Sequence, residues 1–299
     1  MTSPDHGAPE VPAPVVAVLG TGTMGAGMVR SLRRAGIPVR MWNRDGVKAR
    51  ALTDTGAEAF DSPAAAAAGA DVVLTMLLDA DAVTGAVRKA APAPGTVWLQ
   101  AATVGLDGAE RTIALAKELG LELVDCPVLG TKKPAEDGAL VLLASGSESA
   151  RARLAPVFEA LGRKTLWLGE AGAGSRLKLA CNAWVLTLTA GVAQSIALSR
   201  ALGVDPQGFF EAIDGGPLAS LYARAKGGLM MSGEFPVSFT LSGALKDSRL
   251  IQSALRYADV SDRVMAAVAE TLEAAVRRVP EADALDASAV IEGLAARPR

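Results

Sequence analysis

From residue 15 onward, short β-rich apolar runs alternate with longer stretches in which apolar positions recur every three or four residues. "VVAVLG", "PVRMWN", "ADVVLTML", "TVWLQAA", "LELVDCPV", "ALVLLAS" and "KTLWLG" predict strands, and the Ala-rich amphipathic segments between most of them predict helices. Such alternation implies right-handed βαβ units and a mostly parallel, doubly wound sheet with helices on both faces. After Gly169 the strand signal stops. "EAGAG" breaks the chain, and "SRLKLACNAWVLTLTAGVAQSIALSRALG" then reads as one long helix, apolar nearly all round, which requires burial on every side. Further helices are expected around 205–214, 218–230, 240–257, 261–277 and 285–296, with no internal repeat.

The first strand and helix are joined by "VLGTGTMGAGM", which places Gly20, Gly22 and Gly25 at a strand–turn–helix junction. Gly20 permits the tight turn, Gly22 lets the backbone approach a pyrophosphate, and Gly25 lets helix and strand pack closely. The helix N-terminus then offers unpaired N–H groups to phosphate, so Thr21, Thr23 and Met24 join the glycines as cofactor contacts. This motif makes the expected fold an α/β Rossmann-type doubly wound sheet, followed by an all-α C-terminal domain joined through the long interdomain helix. The boundaries are a disordered leader over 1–13, a dinucleotide-binding domain over 14–170 and a helical substrate and dimerisation domain over 171–299.

About eighteen residues beyond the glycines, where an NAD site places an acidic residue for the ribose 2′-hydroxyl, the chain carries Asn43 and Arg44, with Lys48 a turn further on. A guanidinium there suits a 2′-phosphate, so NADP is expected over NAD, and FAD fits poorly. Arg44 and Lys48 also read as ordinary surface charges at a helix start. Ligands of doubly wound sheets lie outside the carboxyl ends of the strands, which nominates Met76, Leu77 and Thr103. Met76 and Leu77 equally suit the core, whereas the Thr103 hydroxyl can reach nicotinamide or substrate.

Composition narrows the chemistry. The 299 residues carry 30 Lys and Arg against 32 Asp and Glu, which makes no electrostatic case for nucleic acid or an anionic membrane. The sole histidine, His6, falls in the Pro-rich leader, so a dehydrogenase that relies on a histidine acid is not expected. That leader lacks the long apolar core of a signal peptide. Cys126 and Cys181 have no metal-ligand spacing and are expected as buried free thiols in a reducing cytoplasm. Residues 179–198 are apolar enough to raise the question of a membrane span, but Asn182, Thr187, Thr189, Gln194 and Ser195 favour a buried core helix.

Within that helix Lys178 and Asn182 stand four residues apart and share a face. The helix begins where the sheet ends, so its first turns are expected beside the nicotinamide end of the cleft. A buried ammonium is costly without a partner, and carbonyl reduction by a nicotinamide needs a proton donor for the incipient alkoxide. Lys178 can be that donor, or the base in the reverse direction. Asn182 can hydrogen-bond the same oxygen or hold the lysine. A snorkelling Lys and a packing Asn are the bland alternative.

"LGTGTMGAGM", "DCPVLGTKKPAEDGALVLLASG", "GAGSRLKLACN" and "FTLSGALKDSRL" occur in an order and spacing that resemble the β-hydroxyacid dehydrogenase family over residues 15 to about 295. The "KKPAEDG" loop at Lys132 to Gly138 and the late "DASAVIEGL" are most similar to its glyoxylate/succinic semialdehyde reductase branch. The resemblance implies pyrophosphate binding by Gly20, Gly22 and Gly25, and 2′-phosphate contact by Asn43 and Arg44. It further implies that Thr103 meets the nicotinamide ribose or the substrate carboxylate, that Lys178 is the acid/base and that Asn182 is its partner. Lys246 would lie beside the cofactor and lower the Lys178 pKa, while Phe239 and Asp247 would shape the substrate pocket. Taken alone, "LKDSRL" also reads as a solvated Lys–Asp pair.

One departure stands out. Leu129 occupies the place of the family's substrate-gripping serine in Pro-Val-Ser-Gly, leaving Gly130 and Thr131 as donors to a substrate carboxylate. A bulkier or less polar substrate than glyoxylate is then expected. The functional expectation is an NADPH-dependent oxidoreductase working between an aldehyde or keto acid and its hydroxyacid, in a homodimer or homotetramer whose partner covers the apolar helix. Imine reduction and a cofactor-binding regulator without turnover are the alternatives.

Overall fold

A computed structural model of the chain describes residues 13–294. Residues 1–12 of the leader, with His6, and the last two residues of the helix expected to 296 lie outside the described residues. The sheet has nine strands, ordered β3-β2-β1-β4-β5-β6-β8-β7 with β9 beside β8. They are β1 (Val16–Leu19), β2 (Val39–Trp42), β3 (Glu58–Ala59), β4 (Val72–Thr75), β5 (Val97–Gln100), β6 (Glu122–Asp125), β7 (Val128–Leu129), β8 (Leu140–Gly146) and β9 (Gly162–Trp167). Strands β1 to β6 pair in parallel, β8 runs antiparallel to β6 and β7, and β9 is parallel to β8.

β1, β4 and β5 are buried along their whole length, as expected for parallel strands covered on both faces. One face is covered by α1 (Thr23–Arg34), with α6 (Lys132–Asp137) and α8 (Ala155–Leu161) packed beside it. The other is covered by α3 (Pro63–Ala67), α4 (Ala80–Ala90) and α5 (Gly105–Leu119). The short helices α2 (Gly46–Arg50) and α7 (Glu148–Arg153) fill connections. Strand order reverses between β1 and β4, and a ligand crevice opens at such a switch point.

Three departures from the expected strands have local causes. "LELVDCPV" splits, because Pro127 has no N–H for the ladder; β6 ends at Asp125 and β7 turns to run against β8. "ADVVLTML" ends at Thr75, where Met76 and Leu77 leave the sheet. β3 has only two residues and leaves no period to detect.

The helical domain opens with α9 (Ala173–Ala201), whose 29 residues span about 43 Å. Around it pack α10 (Pro206–Ile213), α11 (Leu221–Ser232), α12 (Leu241–Tyr257) and α13 (Arg263–Arg278). Asp205, Ser220 and Thr240 cap α10, α11 and α12 through their side-chain oxygens. The core joins Leu179, Leu186 and Ile196 of α9 to Phe210, Met230, Ile251, Leu272 and Val290. The last expected helix is instead a 3₁₀ segment, Ala287–Leu294. Its first turn closes by an Ala289 N–H to Asp286 carbonyl bond, and a Cβ at Gly293 would stand 2.2 Å from the Thr271 carbonyl, so this segment packs with no spare room.

The long helix is not covered on all sides by its own chain, contrary to the burial its composition requires. Trp184 is 66% exposed and Leu198 57%. Its length and hydropathy would suffice to cross a membrane, but its other faces carry the core of the domain.

Candidate active site

The glycine loop has the stereochemistry its spacing predicts. Gly20 adopts φ +108°, and a Cβ there would sit 2.3 Å from the Met76 carbonyl. At Gly25 a Cβ would meet the Gly20 carbonyl at 1.9 Å, so only glycine allows α1 to start this close to β1. Gly22 differs: a Cβ would meet nothing within 4 Å, and as the N-cap of α1 it supplies no side-chain cap. Open space in front of uncapped helix N–H groups fits a dinucleotide pyrophosphate. Thr21 adds a buried hydroxyl without a partner among the described residues, and Thr23 and Met24 form the first turn of α1.

Across the switch point, Met76 and Leu77 are half-buried; the Met76 N–H bonds the Leu19 carbonyl, and both residues close against Gly20. Asn43 is tied into the protein rather than left free for a ligand. Its Oδ1 accepts the Thr21 N–H at 3.0 Å and its Nδ2 donates to the Asp45 carbonyl at 3.0 Å, locking the loop after β2 to the glycine loop. Arg44 and Lys48 are exposed and have no ion-pair partner among the described residues. They follow the carboxyl end of β2, at the start of α2.

Thr103 is placed by a buried network at the end of β5. Trp98 Nε1 donates to Thr75 Oγ1 at 3.0 Å, while Gln100 bonds Ala102 through both ends of its amide at 2.8 Å and fixes the turn that follows. The Thr103 carbonyl accepts Lys246 Nζ at 2.8 Å, a bond from α12 across the domain junction. The Thr103 hydroxyl has no protein partner among the described residues.

α9 and α12 bring together Lys178, Asn182, Lys246 and Asp247. Asp247 is buried: its Oδ2 accepts Asn182 Nδ2 at 2.7 Å and its Oδ1 lies 2.8 Å from Lys246 Nζ, an ion pair without a well-aligned hydrogen bond. Two expectations change. "LKDSRL" is not a solvated pair, and Asn182 holds Asp247 rather than the lysine. The Lys178 side chain keeps some open surface, yet protein atoms crowd its amine and burial lowers its pKa from 10.5 to about 8. Asp247 and Cys181 oppose that fall; Lys246 contributes to it, but as the smallest cause and not the leading one.

Leu129 ends β7, Gly130 takes φ +123°, and Thr131 is the N-cap of α6 without using its hydroxyl as a cap. β7 packs against α9. Phe239 sits in the loop before α12, its N–H bound to Asp286 Oδ2 at 3.1 Å. No hydrogen bond among the described residues joins Leu129, Gly130, Thr131 or Phe239 to the Lys178 group. Between α4, α5 and α12 lies a cleft of about 250 Å³, bordered by Asp79, Asp81, Thr103, Arg111 and Lys246. Cys126 is buried and Cys181 only partly so; burial pushes the Cys126 thiol far up and makes it inert.

Sequence reading missed two buried polar groups that hold these parts. Asp125 and Ser145 receive the start of α9, and a Lys226–Asp286 ion pair of 2.6 Å holds the Ser238–Phe239 loop. The available signal was a carboxylate in an apolar run, "LVDCPV" and "DALDASAV", because buried acids need partners.

The family described as "NAD binding domain of 6-phosphogluconate dehydrogenase" matches residues 15–169, and "NAD-binding of NADP-dependent 3-hydroxyisobutyrate dehydrogenase" matches 172–294. The chain is 31% identical to glyoxylate/succinic semialdehyde reductase 2 of Arabidopsis thaliana, over 94% of this chain and 79% of the relative. The solved structure of Mycobacterium tuberculosis 3-hydroxyisobutyrate dehydrogenase with L-serine superposes with a TM-score of 0.83 at 27% identity, covering 95% of this chain and 100% of that one. A reductive aminase from Aspergillus terreus, in complex with NADPH4, cyclohexanone and allyl amine, reaches 0.61 at 25% identity, covering 95% and 100%. With both domains matched in order, the chain belongs to the β-hydroxyacid dehydrogenase family and is an NAD(P)-dependent oxidoreductase acting on the CH–OH group of hydroxyacids.

Proposed function

We propose that the chain is an NADPH-dependent reductase of small aldehyde or keto acids, reversible as a hydroxyacid dehydrogenase, with Lys178 as its acid/base. One observation carries this reading. The Lys178 amine is crowded by protein, stands beside the Asn182–Asp247–Lys246 group, and has its pKa lowered to about 8. At neutral pH such an amine is protonated and can donate, and slightly above it accepts. The nicotinamide, when bound, supplies or takes the hydride. Lys178 protonates the carbonyl oxygen during reduction and takes the hydroxyl proton during oxidation. Asn182 acts as a strut that holds Asp247, and Asp247 in turn fixes Lys246 beside the Thr103 carbonyl.

Arg44 and Lys48 would meet the 2′-phosphate and make NADP the preferred cofactor, with Asn43 bracing the glycine loop behind them. Thr103, Gly130 and Thr131 offer donors to the substrate carboxylate, with Leu129 and Phe239 as apolar walls. Exposed Trp184 and Leu198 support a homodimer or homotetramer in which a second copy covers α9. Two free thiols suit a reducing compartment, and the cytoplasm is the proposed location. Imine reduction is the second reading, supported by the aminase likeness and by Leu129. An amine donor in the position of Lys178 favours the carbonyl.

The test is a steady-state panel of glyoxylate, succinic semialdehyde and a cyclic imine with NADPH and with NADH. We expect the acids to be reduced, NADPH to be preferred, and the preference to shrink at least tenfold in Arg44→Ala, since each 1.4 kcal/mol of lost contact is tenfold. Turnover of the imine alone, or NADPH binding without turnover, would sink the reading.

A further inference from the structure

We propose that Asp125 is a positioning residue for Lys178, acting across the domain junction by holding the first turn of α9 in register with the sheet. The inference rests on the role given to Lys178 above.

α9 does not cap itself. Its N-cap, Gly172, has no side chain, yet the helix starts inside the protein, where unpaired N–H groups are costly. The missing acceptors come from strands of the other domain. Asp125 closes β6 and Ser145 lies near the end of β8; both are fully buried. Asp125 Oδ2 accepts the Ser175 N–H at 2.8 Å, and Oδ1 accepts the Ser175 hydroxyl at 2.7 Å. Ser145 Oγ accepts the Gly174 N–H at 2.9 Å and itself donates to the Asp125 main-chain carbonyl at 3.1 Å. Together the two strands hold successive N–H groups of one helical turn, which sets both the height and the rotation of α9 against the sheet.

Packing makes that setting tight. A Cβ at Gly174 would stand 2.1 Å from the Leu143 carbonyl and 2.8 Å from the Asp125 carbonyl, so the helix start touches the sheet backbone. Lys178 follows Ser175 by three positions, one turn further along the same face. A slip or rotation of the first turn therefore carries the amine with it relative to the sheet. A local cap is not open to α9, because Gly172 is buried at φ +94°, a conformation that disfavours the Ser or Asp an ordinary N-cap would use. A buried carboxylate on a strand is the expensive solution: burial pushes its carboxyl above the usual range, against the pull of its donors from Ser175, Ser145 and Gly172. What the strand-borne carboxylate adds over a local cap is a fixed relation between the two domains.

The experiment is a double-mutant cycle on the full chain, with succinic semialdehyde and NADPH as probes. Its readouts are kcat, KM, the isotope effect with 4-deuterated NADPH, NADPH affinity by fluorescence and the thermal midpoint. We expect Asp125→Ala to lower kcat about 10–100-fold, as for misplacement of a reacting group by about 1 Å, with a larger isotope effect and NADPH affinity unchanged within about twofold. The isosteric Asp125→Asn, which keeps an acceptor for Ser175, should recover much of the loss, and Ser175→Ala should lose less than Asp125→Ala. In the Lys178→Ala background neither Asp125 substitution should lower kcat further, because the residue acts through the lysine. If Asp125→Ala does not fold, Asp125→Asn and Ser175→Ala carry the same cycle. Equal fractional losses in both backgrounds, or wild-type kcat in Asp125→Ala, would overturn the proposal while Lys178 keeps its role. Near-normal turnover in Lys178→Ala would instead remove the reading of Lys178 and this inference with it.

Discussion

Replacing Lys178 by Met should make the protein more stable while lowering its turnover by about 10²–10⁴-fold. The lysine pKa falls from 10.5 to about 8, chiefly by burial, so folding disfavours the charged form. That distance corresponds to an upper bound of about 3.5 kcal/mol, at about 1.4 kcal/mol per tenfold change in proton affinity. The residual solvent contact of the side chain makes about 1–3 kcal/mol the realistic gain on substituting an unbranched apolar side chain of similar length. The sign with pH follows from linkage. Below about pH 8 lysine is protonated in both states, and wild type carries the full penalty. Between about 8 and 10.5 only the unfolded chain keeps its proton, so wild-type stability rises with pH across that window. Lys178→Met should lack that rise. Thermal scans of both proteins from pH 7 to 10 should give a variant midpoint a few degrees higher at pH 7, converging with wild type toward pH 10. A variant less stable than wild type by an amount independent of pH would refute the claim that burial strains this amine.

Gly22→Ala should fold with an unchanged midpoint yet bind NADPH at least tenfold more weakly by fluorescence titration, because its methyl enters the open space before α1. Gly25→Ala, with its methyl against the Gly20 carbonyl, should lose stability as well. Leu129→Ser should lower KM for glyoxylate by about 10–100-fold in steady-state assays, the return of about 1.5–3 kcal/mol from one hydrogen bond to a carboxylate. Asp286 is buried, which alone would raise its carboxyl, but Lys226 and the donors of Ser288 and Ser238 hold it at about 2. Asp286→Ala should therefore cost about 3–5 kcal/mol in urea unfolding by stranding Lys226. The stability that Asp286 contributes is complete above pH 4 and is lost as the pH falls toward 2.

The sheet was legible wherever a strand was buried on both faces, because β1, β4 and β5 present continuous apolar runs bounded by turns. It was not legible at β3, too short to show a period, or at the β6–β7 break, where one proline ends the ladder. The 3₁₀ segment at Ala287–Leu294 has apolar content that suits a helix, and only its tight approach to α13 tells which kind. Candidate site residues were readable where they belong to one local motif. Lys178 and Asn182 share a face by spacing alone, and the three glycines mark the strand–turn–helix junction by position. Asp125 and Asp286 gave only the weak hint of an acid in an apolar run.

The order of residues by itself determined the βαβ alternation, the phosphate-binding turn and the helix that carries the amine, because each depends on hydrogen bonds and periodicity among near neighbours. Tertiary structure alone decided that Asn182 would hold Asp247 from 65 residues away, that Lys246 would reach Thr103 across 143, and that Asp125 would seat Ser175 across 50. Those pairings exist because packing two domains together removes water from charged and polar groups, and each must then find its partner in whatever surface lies opposite.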